Sequence, residues 1–280
     1  MKPRVMSLVL FTCLVGLILA PGKISFIEAT ISLFAVSLGA GAAGALNMWY
    51  ESDLDALMSR TCLRPIPIGK IKKRQALIFG VALSIISVLL LYFSSNIISS
   101  VLLLTTICFY YFVYTVWLKR RTPQNIVIGG AAGALPPVIG WTITAGSLSI
   151  EPLILFLLIF LWTPSHFWAL SLYKSDDYKR ANIPMLPLIS GIDKTKLNIL
   201  AYSILMLVPI LSIYYFNLGS LVSSTISLAL TIYYIHLCFM LTISKTQKKM
   251  NIIAKKIFSY SILYLFLLFL LLLIDRILII

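Results

Sequence analysis

The sequence predicts an all-α membrane protein of nine transmembrane helices with a cytoplasmic N-terminus, and three observations lead there. Of the 280 residues, 60% are hydrophobic and only 11% are charged, with a mean hydropathy of +0.99. A water-soluble domain of this length needs far more charge to solvate its surface. Apolar stretches of about 20 residues, the length that crosses roughly 30 Å of hydrocarbon, recur along the chain. The breaks between them alternate in charge, which sets the direction of each crossing.

The first five spans fall near Val5–Ala20, Phe26–Trp49, Ala76–Phe93, Ile97–Leu118 and Ile126–Ala145. Four more follow near Pro152–Tyr173, Leu197–Phe216, Ser220–Ile243 and Ile257–Leu273. Breaks after the even-numbered spans are long or basic: Arg60 to Arg74, Lys119 to Arg121, Lys174 to Lys196, and Lys245 to Lys256. The turns around Pro21–Gly22, Ser94–Asn96, Gly146–Ser149 and Asn217–Gly219 carry almost no charge. Counting Lys2 and Arg4, 21 of the 23 Lys and Arg lie on one side, and only Lys23 and Arg276 on the other. Positive charge stays inside, so the N-terminus is cytoplasmic and the C-terminus is outside.

The net charge of +14 therefore reports membrane sidedness rather than a nucleic-acid partner. Lys2 and Arg4 ahead of an apolar run to Ala20 also fit a secretory signal. The remaining chain is equally apolar and must be inserted anyway, so an uncleaved first span is expected. With no Arg- and Ser-rich transit segment ahead of it, the expected location is the bacterial plasma (inner) membrane. One polytopic domain over residues 1–280 is expected. Cys13, Cys62, Cys108 and Cys238 show neither a C-x-x-C pair nor metal-ligand spacing, and read as small apolar residues. Cys62 differs in lying among charged residues.

Six of the nine acidic residues lie in the two longest inferred cytoplasmic segments. The first cluster runs from Asn47 through Glu51, Asp53 and Asp55 to Arg60 and Arg64. Asn47, Glu51 and Asp55 stand at i, i+4 and i+8, so a continuing helix stacks them on one face, with Asp53 pointing roughly away. Three carboxylates this close repel one another, and Mg²⁺, a hard cation that bridges carboxylates to phosphates, is the natural partner. The second cluster places Asp176 and Asp177 after Lys174 and before Arg180, again at the end of a span and ahead of a proline-bearing loop. Arg60, Arg64, Lys174 and Arg180 are suited to grip phosphate oxygens that the metal leaves free. Solvated loops flanking helices carry charges too, but two matched, mixed-sign clusters on one face argue for more. Acids, metal and cations at the mouth of an apolar bundle fit a ligand with a diphosphate head and a hydrocarbon tail. They would stabilise charge building on the departing diphosphate.

These residues resemble the UbiA superfamily of intramembrane prenyltransferases, and within it the protohaem IX farnesyltransferases. The superfamily pattern N-D-x-x-D-x-x-x-D is met by Asn47, Met48, Glu51 and Asp55; Met48 removes the first acid and Glu51 lengthens the second. Asp53, Met58-x-Arg60-Thr61-x-x-Arg64-Pro65, Thr122-Pro123-Gln124-Asn125-Ile126 and Gly129 to Pro137 are similar to the haem branch. So are Trp162-Thr163-Pro164-Ser165-His166-Phe167-Trp168 and Asp177-Tyr178 with Ile183 to Pro187. In the second cluster Tyr173 stands where the superfamily's leading acid is expected. The resemblance covers essentially the whole chain and implies helices around a lipid-accessible central cavity.

It also implies farnesyl diphosphate as donor, Mg²⁺ as cofactor and a vinyl group of protohaem as acceptor, giving haem O. Asn47, Glu51, Asp53, Asp55, Asp176 and Asp177 would then form the catalytic set, with Glu51, Asp55, Asp176 and Asp177 on the metal. Arg60, Arg64, Lys174 and Arg180 would hold the diphosphate. The product implies a terminal-oxidase assembly route, with haem A synthase or oxidase assembly factors as partners beside the lipid bilayer.

His166, inside a span, reads either as an acceptor or haem-iron contact or as a histidine hydrogen-bonded in the bundle. His236 reads as the latter. Pro136-Pro137 should kink or break the fifth span, either freeing carbonyls to line the cavity or, the favoured reading, letting helices pack. Gly39, Gly41 and Gly44 read as close helix packing. A sister prenyltransferase acting on a quinone ring or chlorin is the nearest rival, against which the motifs from Thr122 and Trp162 argue. A secondary transporter would carry polar residues at mid-membrane, whereas these acids crowd at one surface.

Overall fold

A computed structural model describes residues 3–59 and 61–279. Arg60, assigned above to the diphosphate, lies outside the described residues. In chain order the helices are α1 (Pro3–Leu19), α2 (Phe26–Tyr50), α3 (Ser52–Leu57), α4 (Lys73–Ser94) and α5 (Ile97–Cys108), which continues as a π-helix over Phe109–Leu118. Then follow α6 (Asn125–Ala134), α7 (Pro136–Ala145), α8 (Ile150–Tyr173), α9 (Ser175–Arg180) and α10 (Leu186–Ile189). The chain ends with α11 (Ile192–Leu205), α12 (Leu207–Tyr215), α13 (Leu221–Thr242) and α14 (Gln247–Ile279). No strand occurs among the described residues. Helices satisfy their own backbone polar groups, as a segment in hydrocarbon must.

Among the described residues, eight helical stretches are long and apolar enough to cross a bilayer, and a further apolar stretch, Met6–Leu19, is shorter. Each overlaps one of the stretches read from the sequence, eight of them long enough to span. Large apolar side chains face outward along them, among them Phe26, Phe93 and Tyr215 at 79% exposure or more. Water would not tolerate so much exposed apolar surface, and acyl chains do.

The stops and starts have local causes. Ser25 and Glu28 form a capping box at the start of α2. Asn96 caps α5, accepting from the Ser99 amide, and Ser220 does the same for α13 through Ser223. Pro136 and Pro137 break the fifth span as expected, with Pro136 opening α7 and Gly146 closing it in the left-handed region at φ 66°.

The chain divides into two compact units. The first holds Met1–Arg121, Leu135–Leu148 and Arg180–Ile183. In it α2 packs along α4 and α1 along α7, over a core that includes Cys13, Leu17, Ala35, Val36, Leu91, Leu103 and Ile139. The second unit holds Thr122–Ala134, Ser149–Lys179 and Pro184–Ile280. There α8 packs against α6, α11 and α14, with Trp168, Tyr234, Tyr264 and Phe269 fully buried.

Gly39 meets its expectation: a Cβ there would come within 2.8 Å of Leu103 Cδ1. Gly44 does not, because a Cβ there would touch nothing within 4 Å. His236 is not hydrogen-bonded in the bundle interior either; α13 turns it outward to an exposed position.

Candidate active site

The first acidic cluster sits where α2 ends and α3 begins, in the first unit. Glu51 occupies the break, yet the helical path runs through it. The Glu51 amide donates to the Asn47 carbonyl at 3.0 Å, and the Asp55 amide to the Glu51 carbonyl at 2.8 Å. This register stacks Asn47, Glu51 and Asp55, which are 1%, 1% and 3% exposed. The i, i+4, i+8 reading therefore holds.

Each buried carboxylate has a cation. Lys119 Nζ donates to Glu51 Oε2 at 2.5 Å, and Arg64 Nη1 lies 2.7 Å from both oxygens of Asp55. Thr61 donates its hydroxyl to the Asp55 carbonyl at 3.0 Å, folding the loop that carries Arg64 back over the acid. Asp53 turns away, with a side chain 54% exposed, and is clamped by Arg120 at 2.9 and 3.1 Å. Burial pushes the Asp53 carboxyl up, but the Arg120 hydrogen bond and charge, together with hydrogen bonds from the Leu54 and Asp53 backbone, outweigh it and hold the group below its ordinary value.

Asn47 is tied to the π-helix: its Nδ2 donates to Thr115 Oγ1 at 3.1 Å, and Thr115 donates to the Tyr110 carbonyl at 2.9 Å. The pairs Asn47–Thr115 and Glu51–Lys119 are both 68 residues apart, so α2 and the π-helix run in the same direction, side by side. That parallel run is what the alternating breaks require of spans two and four.

In the second unit, Lys174 caps the end of α8 and is exposed, as is Asp176, while Asp177 on α9 is buried. Arg180 ends α9 and is exposed. Tyr173, in place of the leading acid, lies under Lys255 Nζ at 5.8 Å from its ring centroid. His166 is buried between the rings of Trp162 and Phe258, at centroid distances of 4.3 and 4.6 Å. Its Nδ1 is 2.6 Å from Ser261 Oγ, whose own proton goes to the Phe258 carbonyl at 2.7 Å. Ser261 therefore accepts from Nδ1–H, and Nε2 keeps its lone pair.

The sequence gives no site role to Lys119, Arg120 or Thr115. Lys119-Arg120-Arg121 registered only as basic charge on the inferred cytoplasmic side, and nothing in the local pattern pairs it with acids some 68 residues earlier.

Whether Mg²⁺ fits is tested by the acids themselves. Glu51 Oε1 is buried and has no hydrogen-bond partner, an arrangement that costs free energy unless something positive arrives. The neighbouring Ser52 Oγ is likewise buried and unpartnered. The donors are hard oxygens, which suits Mg²⁺. Among the described residues no three His, Cys, Asp or Glu side chains are grouped to hold a metal by themselves. Mg²⁺ needs no such cage, since it is commonly held by one or two carboxylates with water and substrate phosphates.

The model of the UbiA prenyltransferase family matches residues 9–262. A protoheme IX farnesyltransferase of Pelagibacter ubique is 66% identical over 278 residues, covering 99% of this chain and 92% of that one. The protoheme IX farnesyltransferase of Parvibaculum lavamentivorans is 49% identical, covering 99% and 87%. Among solved structures, one of digeranylgeranylglyceryl phosphate synthase superposes with a TM-score of 0.79 at 19% identity, over 98% of this chain and 95% of that one. A UbiA homologue from Archaeoglobus fulgidus, bound to GPP and Mg²⁺, gives 0.65 at 17% identity, over 94% and 97%. With a family match over most of its length and two near-full-length relatives, this integral membrane protein belongs to the UbiA prenyltransferase family.

Proposed function

We propose that this chain transfers a farnesyl group from farnesyl diphosphate to a vinyl group of protohaem IX, giving haem O and diphosphate. The observation that carries the donor half is Glu51: a buried carboxylate with one oxygen on Lys119 and the other unpartnered, beside the Asp55–Arg64 pair. The acceptor half rests on the near-full-length similarity to protoheme IX farnesyltransferases.

Bound Mg²⁺ would supply Lewis-acid stabilisation of the departing diphosphate, with Glu51 and Asp55, and on the other cluster Asp176 and Asp177, as its holders. Arg64 spends only Nη1 on Asp55, so the rest of its five-donor fork remains for phosphate oxygens. Lys174, Arg180 and Arg60 are assigned the same task. Asn47, fixed by Thr115, sets the helix end that carries Glu51. The apolar bundle excludes water from the farnesyl cation until the vinyl carbon attacks, and water then adds to the new cation and loses a proton to leave the hydroxyethyl branch. His166, its tautomer set by Ser261, presents Nε2 to the acceptor. His166→Ala is expected to change the absorption spectrum of protein-bound protohaem and to slow turnover; an unchanged spectrum and rate would remove His166 from the acceptor site.

The positive-inside asymmetry supports a cytoplasmic N-terminus, with acids and donor on the cytoplasmic side, and the bacterial source of the relatives supports an inner-membrane location. The product suits delivery to haem A synthase or oxidase assembly factors.

The deciding experiment incubates detergent-purified protein with protohaem, farnesyl diphosphate and Mg²⁺, with and without EDTA. A later-eluting haem, heavier by a farnesyl and a hydroxyl group and absent with EDTA, is the expected product. Its absence from folded protein would reject protohaem as acceptor and turn attention to quinone-ring and chlorin acceptors.

A further inference from the structure

Trp162, His166 and Tyr173 stand at i, i+4 and i+11 on α8, one stripe of the helix. Within the second unit α14 packs antiparallel to this stripe and meets it in reverse order. Trp162 Nε1 donates to the Ser261 carbonyl at 2.9 Å, and His166 Nδ1 bonds the Ser261 hydroxyl. Phe258, nearer the start of α14, stacks on His166 at 4.6 Å and meets the Tyr173 ring edge-on at 6.1 Å. Closer still to that start, Lys255 Nζ lies 5.8 Å from the Tyr173 centroid. The rings form a ladder that leads from a buried histidine to an exposed ammonium.

The two ends of this ladder are open in different ways. Trp162 and Phe258 cover the faces of the His166 ring, at interplanar angles of 17° and 23°, and Ser261 takes Nδ1. What is left is the edge carrying Nε2. At the other end, Lys255 has no carboxylate partner among the described residues, and a ring contact leaves its three N–H donors usable. Phe258 and Tyr173 between them are only half-buried. Such an arrangement suits a flat conjugated ligand that is apolar over most of its area and ionised on one side. Protohaem has that chemistry: two propionate carboxylates share one side of the macrocycle, and the vinyl groups lie on the opposite side. We propose that Lys255 holds a propionate of protohaem while the iron is turned toward His166 Nε2. The proposal rests on the reading of protohaem as acceptor. Lys255 and Ser261 are six residues apart, about 9 Å along the helix, a span comparable with the reach from the centre of the macrocycle to a propionate. Lys255 precedes the apolar run that starts near Ile257, so the ionised side of the ligand stays where charge is least costly. The vinyl side then points away from Lys255 and is free to meet the donor. Lys255 thereby determines both which porphyrins are accepted and which edge is offered for prenylation.

The test titrates protohaem into the full-length protein in non-ionic detergent, with neither donor nor Mg²⁺, and follows the haem absorption band. Protohaem dimethyl ester, the same ring and iron without the carboxylates, is titrated in parallel. The wild-type protein is expected to bind protohaem about tenfold or more tighter than the ester, the effect of one hydrogen bond between charged groups. Lys255→Met should weaken protohaem alone, bringing the two ligands to equal affinity, and Lys255→Arg should keep the preference. Lys256→Met should keep it too, because that ammonium lies over the Tyr233 ring instead. Equal affinities in the wild-type protein, or a preference that survives in Lys255→Met, would overturn the proposal; the latter is what a lysine serving only lipid phosphates would give. An equal loss in Lys256→Met would also overturn it, by making the effect one of diffuse charge. Folded wild-type protein that binds neither ligand would instead reject the acceptor reading on which the proposal rests.

Discussion

Replacing Asp55 by asparagine is expected to cut turnover by about 10²–10³-fold while leaving the fold intact, the size of loss seen when one preorganised electrostatic group is removed. Asparagine matches aspartate in volume, and its amide oxygen can still accept from Arg64 Nη1, which lies 2.7 Å from both carboxylate oxygens. The Thr61 hydroxyl bond to the residue 55 carbonyl does not depend on the side chain. What disappears is the negative charge that a metal and its diphosphate need. Breaking a fully buried ion pair costs roughly 3–5 kcal/mol, but the Arg64 side chain is 22% exposed and can turn to water, so the stability loss should be smaller. The check is the rate of haem product formation beside the melting temperature of each protein. A well-folded Asp55→Asn enzyme with wild-type rate would remove Asp55 from the site. Asp53→Asn makes the internal comparison: this acid faces Arg120 with a half-exposed side chain, and a markedly smaller loss is expected.

The membrane fold was legible because hydropathy and charge asymmetry are summed over many residues and are set by the solvent rather than by partners. The same argument explains where the span boundaries missed. The last span was expected to begin near Ile257, but α14 begins at Gln247, since lysine favours helix and the helix runs on past the hydrocarbon edge. The seventh span reads as continuous in hydropathy, yet it breaks between α11 and α12 at Met206, three residues before Pro209, a proline the reading passed over. The π-helix at Phe109–Leu118 left no periodic trace in so uniformly apolar a run. Within the site, the i, i+4, i+8 stack was visible because it is local. Lys119 and Arg120 were not, because their pairing with Glu51 and Asp53 is a tertiary contact that no short pattern encodes.

Glycine shows the same division. The glycines of span two drew attention by spacing, but the closest approach in the first unit lies between α1 and α7. A Cβ on Gly140 would stand 1.9 Å from the Cys13 carbonyl oxygen and 2.9 Å from the Leu17 amide nitrogen. A Cβ on Gly16 would stand 2.1 Å from the Pro137 oxygen. These are backbone atoms, which cannot rotate aside as a leucine end can, so Gly140→Ala must push α1 off α7. Separation would also strain the bond from Thr144 Oγ1 to the Leu17 carbonyl, now 2.9 Å, and the shared packing of Cys13, Leu17, Ile139 and Ile143. Overpacking of this kind typically costs about 1–3 kcal/mol and occasionally more; with backbone as the obstacle the upper end is expected, seen as a clear fall in melting temperature in detergent. Gly44→Ala is the control, because its Cβ meets open space in mid-helix, where alanine is favoured over glycine by about 1 kcal/mol. The two substitutions add the same methyl group to the same kind of helix, so opposite shifts isolate contact from propensity. Equal melting of Gly140→Ala and wild type would mean that α1 does not sit against α7 as closely as these distances require.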